Sequence, residues 1–334
     1  MKKKMTKLAL TLFIFVMVMV TSTLYSQEEY TNRYAMKLKK ENNGSFSLIN
    51  SDAYSRILNL DTISDLLIPY THKSVKISGN DYKGVVTQEF VYKSYPEYEL
   101  KLAVDFANSE QPAPFMVYIH GGGWSRGDFS SNRDISQYCA MKGNVTGVRI
   151  SYTLANMPNA NIMITIEDVK DAVKWIQKNS QMLNVNPNVF GFMGGSAGGH
   201  LSAIAAMSIP GAKVLIGVSG IYNLTDAKIS ARATDSQRVA YFNNKDKGTL
   251  QSASPLFMIP SQNIPSCYLI HGTGDITVEY TQSVEFANRL KAKGAKNISL
   301  EIYPNYDHNI SSTKSDLKEK LFLNSYKFII DNLK

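Results

Sequence analysis

Cysteine and tryptophan are scarce in this chain of 334 residues, with two of each. Two thiols are too few for a disulfide-stapled scaffold, and no Cys/His cluster has the spacing of a zinc site. Long apolar runs are also missing. The longest, Leu8 to Val20, has thirteen residues with Thr11 as its only break; as a helix it would cover about 20 Å of a hydrocarbon core roughly 30 Å thick, too little for a span. There is no low-complexity tract, and 44% of the residues are apolar against 19% charged, a globular composition that excludes disordered, collagen-like and coiled-coil chains. Neither a strand-linked G-x-G-x-x-G nor a P-loop occurs, so nothing points to a bound nucleotide cofactor. Acidic residues are the scarcer charged type, 28 against 36 basic, for a net charge of +8. That excess raises the question of a nucleic-acid or membrane-surface partner.

The start of the chain answers it. Lys2, Lys3, Lys4 and Lys7 precede the apolar run, and small and polar residues follow it as far as Ser26. This is the pattern of a cleavable export signal, with cleavage near Ser22 or Ser26 and a secreted or periplasmic product. No cysteine follows the run, which argues against a lipid anchor, and no stable membrane anchor is expected. Without residues 1–26, 32 basic groups face 28 acidic ones and the charge halves to +4. No concentrated basic stripe remains, so a nucleic-acid partner is not expected.

Residues 27–80 are polar and rich in Asn and Ser, with one amphipathic stretch from Tyr54 to Leu67, and read as an N-terminal extension packed on a main domain of residues 81–334. Two alternating runs, Val85 to Tyr92 and Glu99 to Phe106, predict an antiparallel pair. Short apolar β-rich runs then alternate with helical segments: Phe115 to Ile119, Val145 to Tyr152, Val189 to Met193, Val214 to Val218, Cys267 to Ile270 and Ser299 to Tyr303. Between them, helices are predicted over Ile166 to Lys178, Leu201 to Met207, Val284 to Lys293 and Leu317 to Ile330. The rhythm predicts an α/β fold with a mostly parallel sheet and helices on both faces. The stretch from about 221 to 265 is longer than one crossover needs and carries Tyr241, Phe242, Asn243 and Asn244, the makings of an insertion that roofs a site.

Gly194-Gly195-Ser196-Ala197-Gly198 is a G-x-S-x-G between a predicted strand and a predicted helix. A serine on so sharp a turn sits in strained backbone, needs tiny neighbours, and faces the positive end of the helix, which favours negative charge developing beside it. His120-Gly121-Gly122-Gly123-Trp124 ends an earlier strand. Glycines in series leave backbone N–H groups open to a ligand, so Gly122 and Gly123, with the N–H of Ala197, are the candidate oxyanion donors. A serine nucleophile needs a base and an acid, which on this kind of scaffold follow in the order Ser, acid, His. Of five histidines, only His308 lies beyond the other candidates, on a loop after the last strand. Asp275, in His271-Gly272-Thr273-Gly274-Asp275, is the candidate acid, ahead of Glu279 and Asp307. His271 itself reads as structural, at a strand end.

With these motifs the sequence resembles the α/β-hydrolases of the carboxylesterase and hormone-sensitive-lipase-like group, especially the secreted carbohydrate-esterase branch of acetylxylan and feruloyl esterases. The similarity runs from about Val85 to the C-terminus and extends to Ser125-Arg126-Gly127-Asp128, to Asp168 through Trp175, and to Val278 and Tyr280. It implies an eight-stranded sheet in the order 1-2-4-3-5-6-7-8 and a Ser196–His308–Asp275 triad at its carboxyl edge. The reaction implied is hydrolysis of carboxylic esters, of short acyl groups on carbohydrates in particular, through an acyl-enzyme, with no metal or organic cofactor. The substrate would be a small-molecule or polysaccharide-linked ester. Amide hydrolysis of the peptidase or formamidase kind is the alternative on the same fold, and a catalytically silent binding module a more distant one. In that strand order Cys139 and Cys267 belong to units about 14 Å apart, beyond the ~7 Å that a disulfide spans, so both are expected free. One departure is Asn223, where relatives often carry Asp, and it bears on how the next loop is anchored.

Overall fold

The computed structural model describes residues 85–226, 236–310 and 315–333, together with six short strands between residues 29 and 82. The expected export segment, residues 1–26, and the amphipathic stretch Tyr54 to Leu67 lie outside the described residues.

Eight strands form the body of one sheet: β1 Val86–Ser94, β2 Glu99–Asp105, β3 Ala113–Ile119, β4 Thr146–Ile150, β5 Val185–Gly195, β6 Ala212–Val218, β7 Ser266–Gly272 and β8 Ile298–Tyr303. Their order across the sheet is β8-β7-β6-β5-β3-β4-β2-β1, and the short strand Thr71–His72 adds a ninth at the β1 edge. Strands β3 to β8 are mutually parallel, whereas β2 is antiparallel to both β1 and β4. Chains of Val, Ile, Phe and Met along β3, β4 and β6 are buried on both faces, which is why they read as continuous apolar runs rather than alternating ones. This is the α/β-hydrolase fold.

Helices α2 Ile162–Lys178, α3 Ala197–Ser208 and α4 Thr281–Ala292 cover one face of the sheet, and α1 Arg133–Gly143 and α5 Ser315–Asn332 the other. The N-cap Asn161 accepts from the Ile164 amide and sets the start of α2 four residues before the predicted one. Helix α1 is not among the predicted helices, because part of its inward face is polar: Ser136 and Gln137 are buried beside Ile135, Cys139 and Ala140. Both cysteines are free and buried, Cys139 on α1 and Cys267 on β7. Each crossover returns the chain to the amino edge, so the loops after β3, β5, β7 and β8 gather at the carboxyl edge, where ligands bind in open α/β sheets.

Candidate active site

Ser196 follows β5 and caps α3 with φ 55° and ψ −124°, a conformation that L-residues adopt only under constraint. Constraint comes from close backbone packing. A Cβ on Gly198 would stand 2.1 Å from the Ile119 carbonyl oxygen, so only glycine lets the elbow lie against the end of β3. The Ser196 amide donates to the Val218 carbonyl at 2.9 Å and its carbonyl accepts from the His200 amide at 3.0 Å, fixing the turn between β6 and α3.

The loop after β8 brings His308 Nε2 to 2.9 Å from Ser196 Oγ, and the loop after β7 brings Asp275 Oδ2 to 2.7 Å from His308 Nδ1. A carboxylate only accepts, so Nδ1 carries the ring proton and Nε2 is left to accept from the serine hydroxyl. Asp275 is buried and its acceptors are filled: the amides of Thr277 and Val278 donate to Oδ1, each at 2.8 Å, and His271 Nε2 donates to Oδ2 at 3.1 Å. Burial alone would raise its carboxyl, but the bonds from His271, His308 and the Val278 amide outweigh it and hold the group well below the usual carboxylate range. Ser196, Asp275 and His308, three positions scattered along the sequence, thus stand in one hydrogen-bonded line. Glu279 takes no part in it: its carboxylate accepts from Thr281 Oγ1 at 3.5 Å.

His271, expected to be structural, touches the acid directly. Its Nε2 faces two acceptors, Asp275 Oδ2 and the Val278 carbonyl at 2.9 Å, so the proton sits there, and Nδ1 accepts from Ser283 Oγ at 2.7 Å. Asp275 therefore lies between two imidazoles. The signal that could have found this is the four-residue spacing within His271-Gly272-Thr273-Gly274-Asp275.

Gly122 has φ 109° and Gly123 φ 60°, and a Cβ on Gly122 would collide with the Arg126 carbonyl oxygen at 2.2 Å. Among the described residues no acceptor takes the amides of Gly122 and Gly123, and the amide of Ala197, as the first helical residue of α3, has no intrahelical partner. Gly121, Gly122 and Gly123 line the same cleft as Ser196 and His308, a cavity of about 910 Å³. Trp124, at φ 58°, donates from Nε1 to His200 Nδ1 at 3.3 Å, and His200 Nε2 donates to the Ala253 carbonyl at 2.6 Å. That buried ring, its pKa pushed down to about 4 by burial, ties the glycine loop to the elbow helix and to the segment before β7. In that segment Phe242 lines the cleft and meets Trp124 edge-on at 5.2 Å, whereas Tyr241 is buried and donates to Thr165 Oγ1 at 2.7 Å. Asn223 anchors the loop that follows it by accepting from the Thr225 amide and hydroxyl at 3.0 and 2.6 Å. Among the described residues no three His, Cys, Asp or Glu side chains group as metal ligands.

A sequence model of the BD-FAE family matches residues 104–290. Esterase LipQ of Mycobacterium tuberculosis is 27% identical over 217 residues, 59% of this chain and 50% of that protein. A probable isoprenylcysteine alpha-carbonyl methylesterase of Oryza sativa is 24% identical over 232 residues, 63% of this chain and 55% of that one. The chain spans about half the length of the curated relatives it matches. Among solved structures, native esterase 2 of Thermogutta terrifontis superposes with a TM-score of 0.62 at 22% identity, over 73% of this chain and 91% of that one, a likeness of fold.

Proposed function

The chain belongs to the BD-FAE family, and from that footing we propose that it is a serine esterase hydrolysing carboxylic esters by two-step acyl transfer. The observation that carries the reading is the unbroken line from Ser196 Oγ through both nitrogens of His308 to Asp275. His308 takes the hydroxyl proton as Oγ attacks the ester carbonyl; Asp275 keeps the ring in the one tautomer that can accept it and stabilises the imidazolium. Charge then builds on the former carbonyl oxygen, and the amides of Gly122, Gly123 and Ala197 are the donors available to it. Collapse expels the alcohol with the proton held on His308, and water repeats the cycle on the acyl-serine.

Short acyl groups on carbohydrates are the proposed substrates, a reading supported by the resemblance to carbohydrate esterases and by the polar-aromatic segment whose Phe242 reaches the cleft. The basic start and thirteen-residue apolar run support export through a cleaved signal, and hence action outside the cytoplasm. Hydrolysis of 4-nitrophenyl acetate by the wild type and by Ser196→Ala tests the central claim. The variant is expected to lose about 10⁶-fold in kcat and its labelling by a fluorophosphonate; equal rates would end the assignment.

A further inference from the structure

The cleft that holds Ser196 and His308 is also lined by Arg126, Arg133 and Lys318, with Asp134 as the single carboxylate among the charged lining groups. The three cations make no hydrogen bond or salt bridge to any described residue, although Arg133 and Lys318 both act on Asp134 through charge. Asp134 can offset one of the three, and Asp128, which does not line the cleft, also acts on Arg133 through charge. Their placement brings no stability of its own, since Arg133 is the first residue of α1 and Lys318 the fourth of α5. The opening turn of a helix is where its dipole disfavours positive side chains. Below them the cleft is apolar, with Ile135, Met193, Leu321 and Phe322 on the face of the sheet opposite Trp124 and Phe242. Apolar walls beside like charges focus the field on whatever enters.

We propose that the ester cleaved at Ser196 carries a carboxylate, bound by Arg133 and Lys318, with Arg126 beside the glycine loop adding to the attraction. The inference rests on the esterase reading and names the substrate class of the same site. The half of the ester that bears the carboxylate lies between α1 and α5, with its uncharged part on Leu321 and Phe322.

Two matched pairs test it in the full-length enzyme: mono-4-nitrophenyl adipate against 4-nitrophenyl hexanoate, with the charge on the acyl half, and 4-carboxyphenyl acetate against 4-carbamoylphenyl acetate, with the charge on the alcohol half. At low salt the acidic member of one pair is expected to exceed its neutral twin about tenfold in kcat/KM. That ratio should shrink severalfold in 0.5 M sodium chloride, roughly, as screening shortens the reach of the cations. It should shrink likewise in Arg133→Gln/Lys318→Gln. Acidic esters no better than their twins at low salt, or an advantage that both salt and the double substitution leave intact, would overturn the proposal. If none of the four esters is turned over and Ser196 resists the fluorophosphonate, it is the esterase reading that has failed.

Discussion

Two carboxylates are buried at opposite edges of the same sheet. Asp105 ends β2 beside Gly147, near the amino end of β4; Asp275 lies beyond the carboxyl end of β7. Asp105 is closed by a guanidinium: Arg149 Nε and Nη2 grip its two oxygens at 2.7 and 3.1 Å, with Thr87, Ser136 and Gln137 completing the shell. Asp275 is closed by two imidazoles. An arginine never gives up its proton, so the first pair can only be made or broken, whereas an imidazole can lose and regain one beside an unchanged carboxylate. Burial and full hydrogen bonding therefore do not mark a catalytic acid. What sets Asp275, the acid of the proposed triad, apart is a partner able to change charge, one side of which faces an open cleft.

The sharpest way to break this comparison is Asp275→Asn. In either orientation the NH₂ of an amide meets donors: turned to Thr277 and Val278 it faces their backbone N–H groups, and turned to the rings it favours the wrong tautomer of His308, so kcat should fall about 10⁴-fold with a modest change in unfolding midpoint. Steady-state kinetics on 4-nitrophenyl acetate beside urea unfolding reads both quantities. Asp105→Asn should invert the pattern. It leaves the Arg149 charge buried without its counterion, at a cost of about 3–5 kcal/mol in unfolding free energy, while the folded fraction keeps its kcat. Replacing both partners, as Asp105→Leu/Arg149→Met, should recover part of that stability, since the buried Thr87, Ser136 and Gln137 then lose their acceptor. If Asp105→Asn costs more turnover than stability, the two carboxylates do not divide the work in this way.

The same pair accounts for what sequence reasoning reached. Elements built on apolar burial were readable: the eight strand runs fall within a few residues of the observed strands, and the order across the sheet is the one the resemblance implied, with Thr71–His72 added at its edge. Ser196 announced itself because its neighbours must be small to meet Ile119, a steric demand written locally in the chain. Helix α1 and the Arg149–Asp105 cluster were invisible for the opposite reason. Charged and polar residues read as surface, and only the folded chain brings Thr87, Ser136 and Gln137 to a carboxylate 18 to 32 positions away. His271 was half legible, since its spacing to Asp275 is local but the carbonyl of Val278 and the hydroxyl of Ser283 that fix its tautomer are not evident from residue type.

His271 gives the smallest expected effect and the finest distinction. It is the group that Asp275 has and a bare triad would lack, donating to the oxygen that also binds His308. Removing a hydrogen bond to a charged acceptor costs about 1.5–3 kcal/mol, so His271→Ala should lower kcat at least about tenfold with KM little changed, and His271→Gln, which keeps a donor, should recover part of it. The pH profile separates this from a packing defect. The carboxyl of Asp275 is held below its ordinary value, so its contribution is intact above about pH 3.9, the unfolded value, and fades as pH falls through the lower folded one. Without the bond from His271 the folded carboxyl rises toward the ordinary value, and the loss of unfolding free energy on acidification from about pH 4 to about pH 2, followed by urea unfolding, should be smaller than in the wild type. A loss of rate with that acid-side change in stability unaltered and a lowered unfolding midpoint near neutral pH would make His271 a packing residue and leave Asp275 to His308 alone.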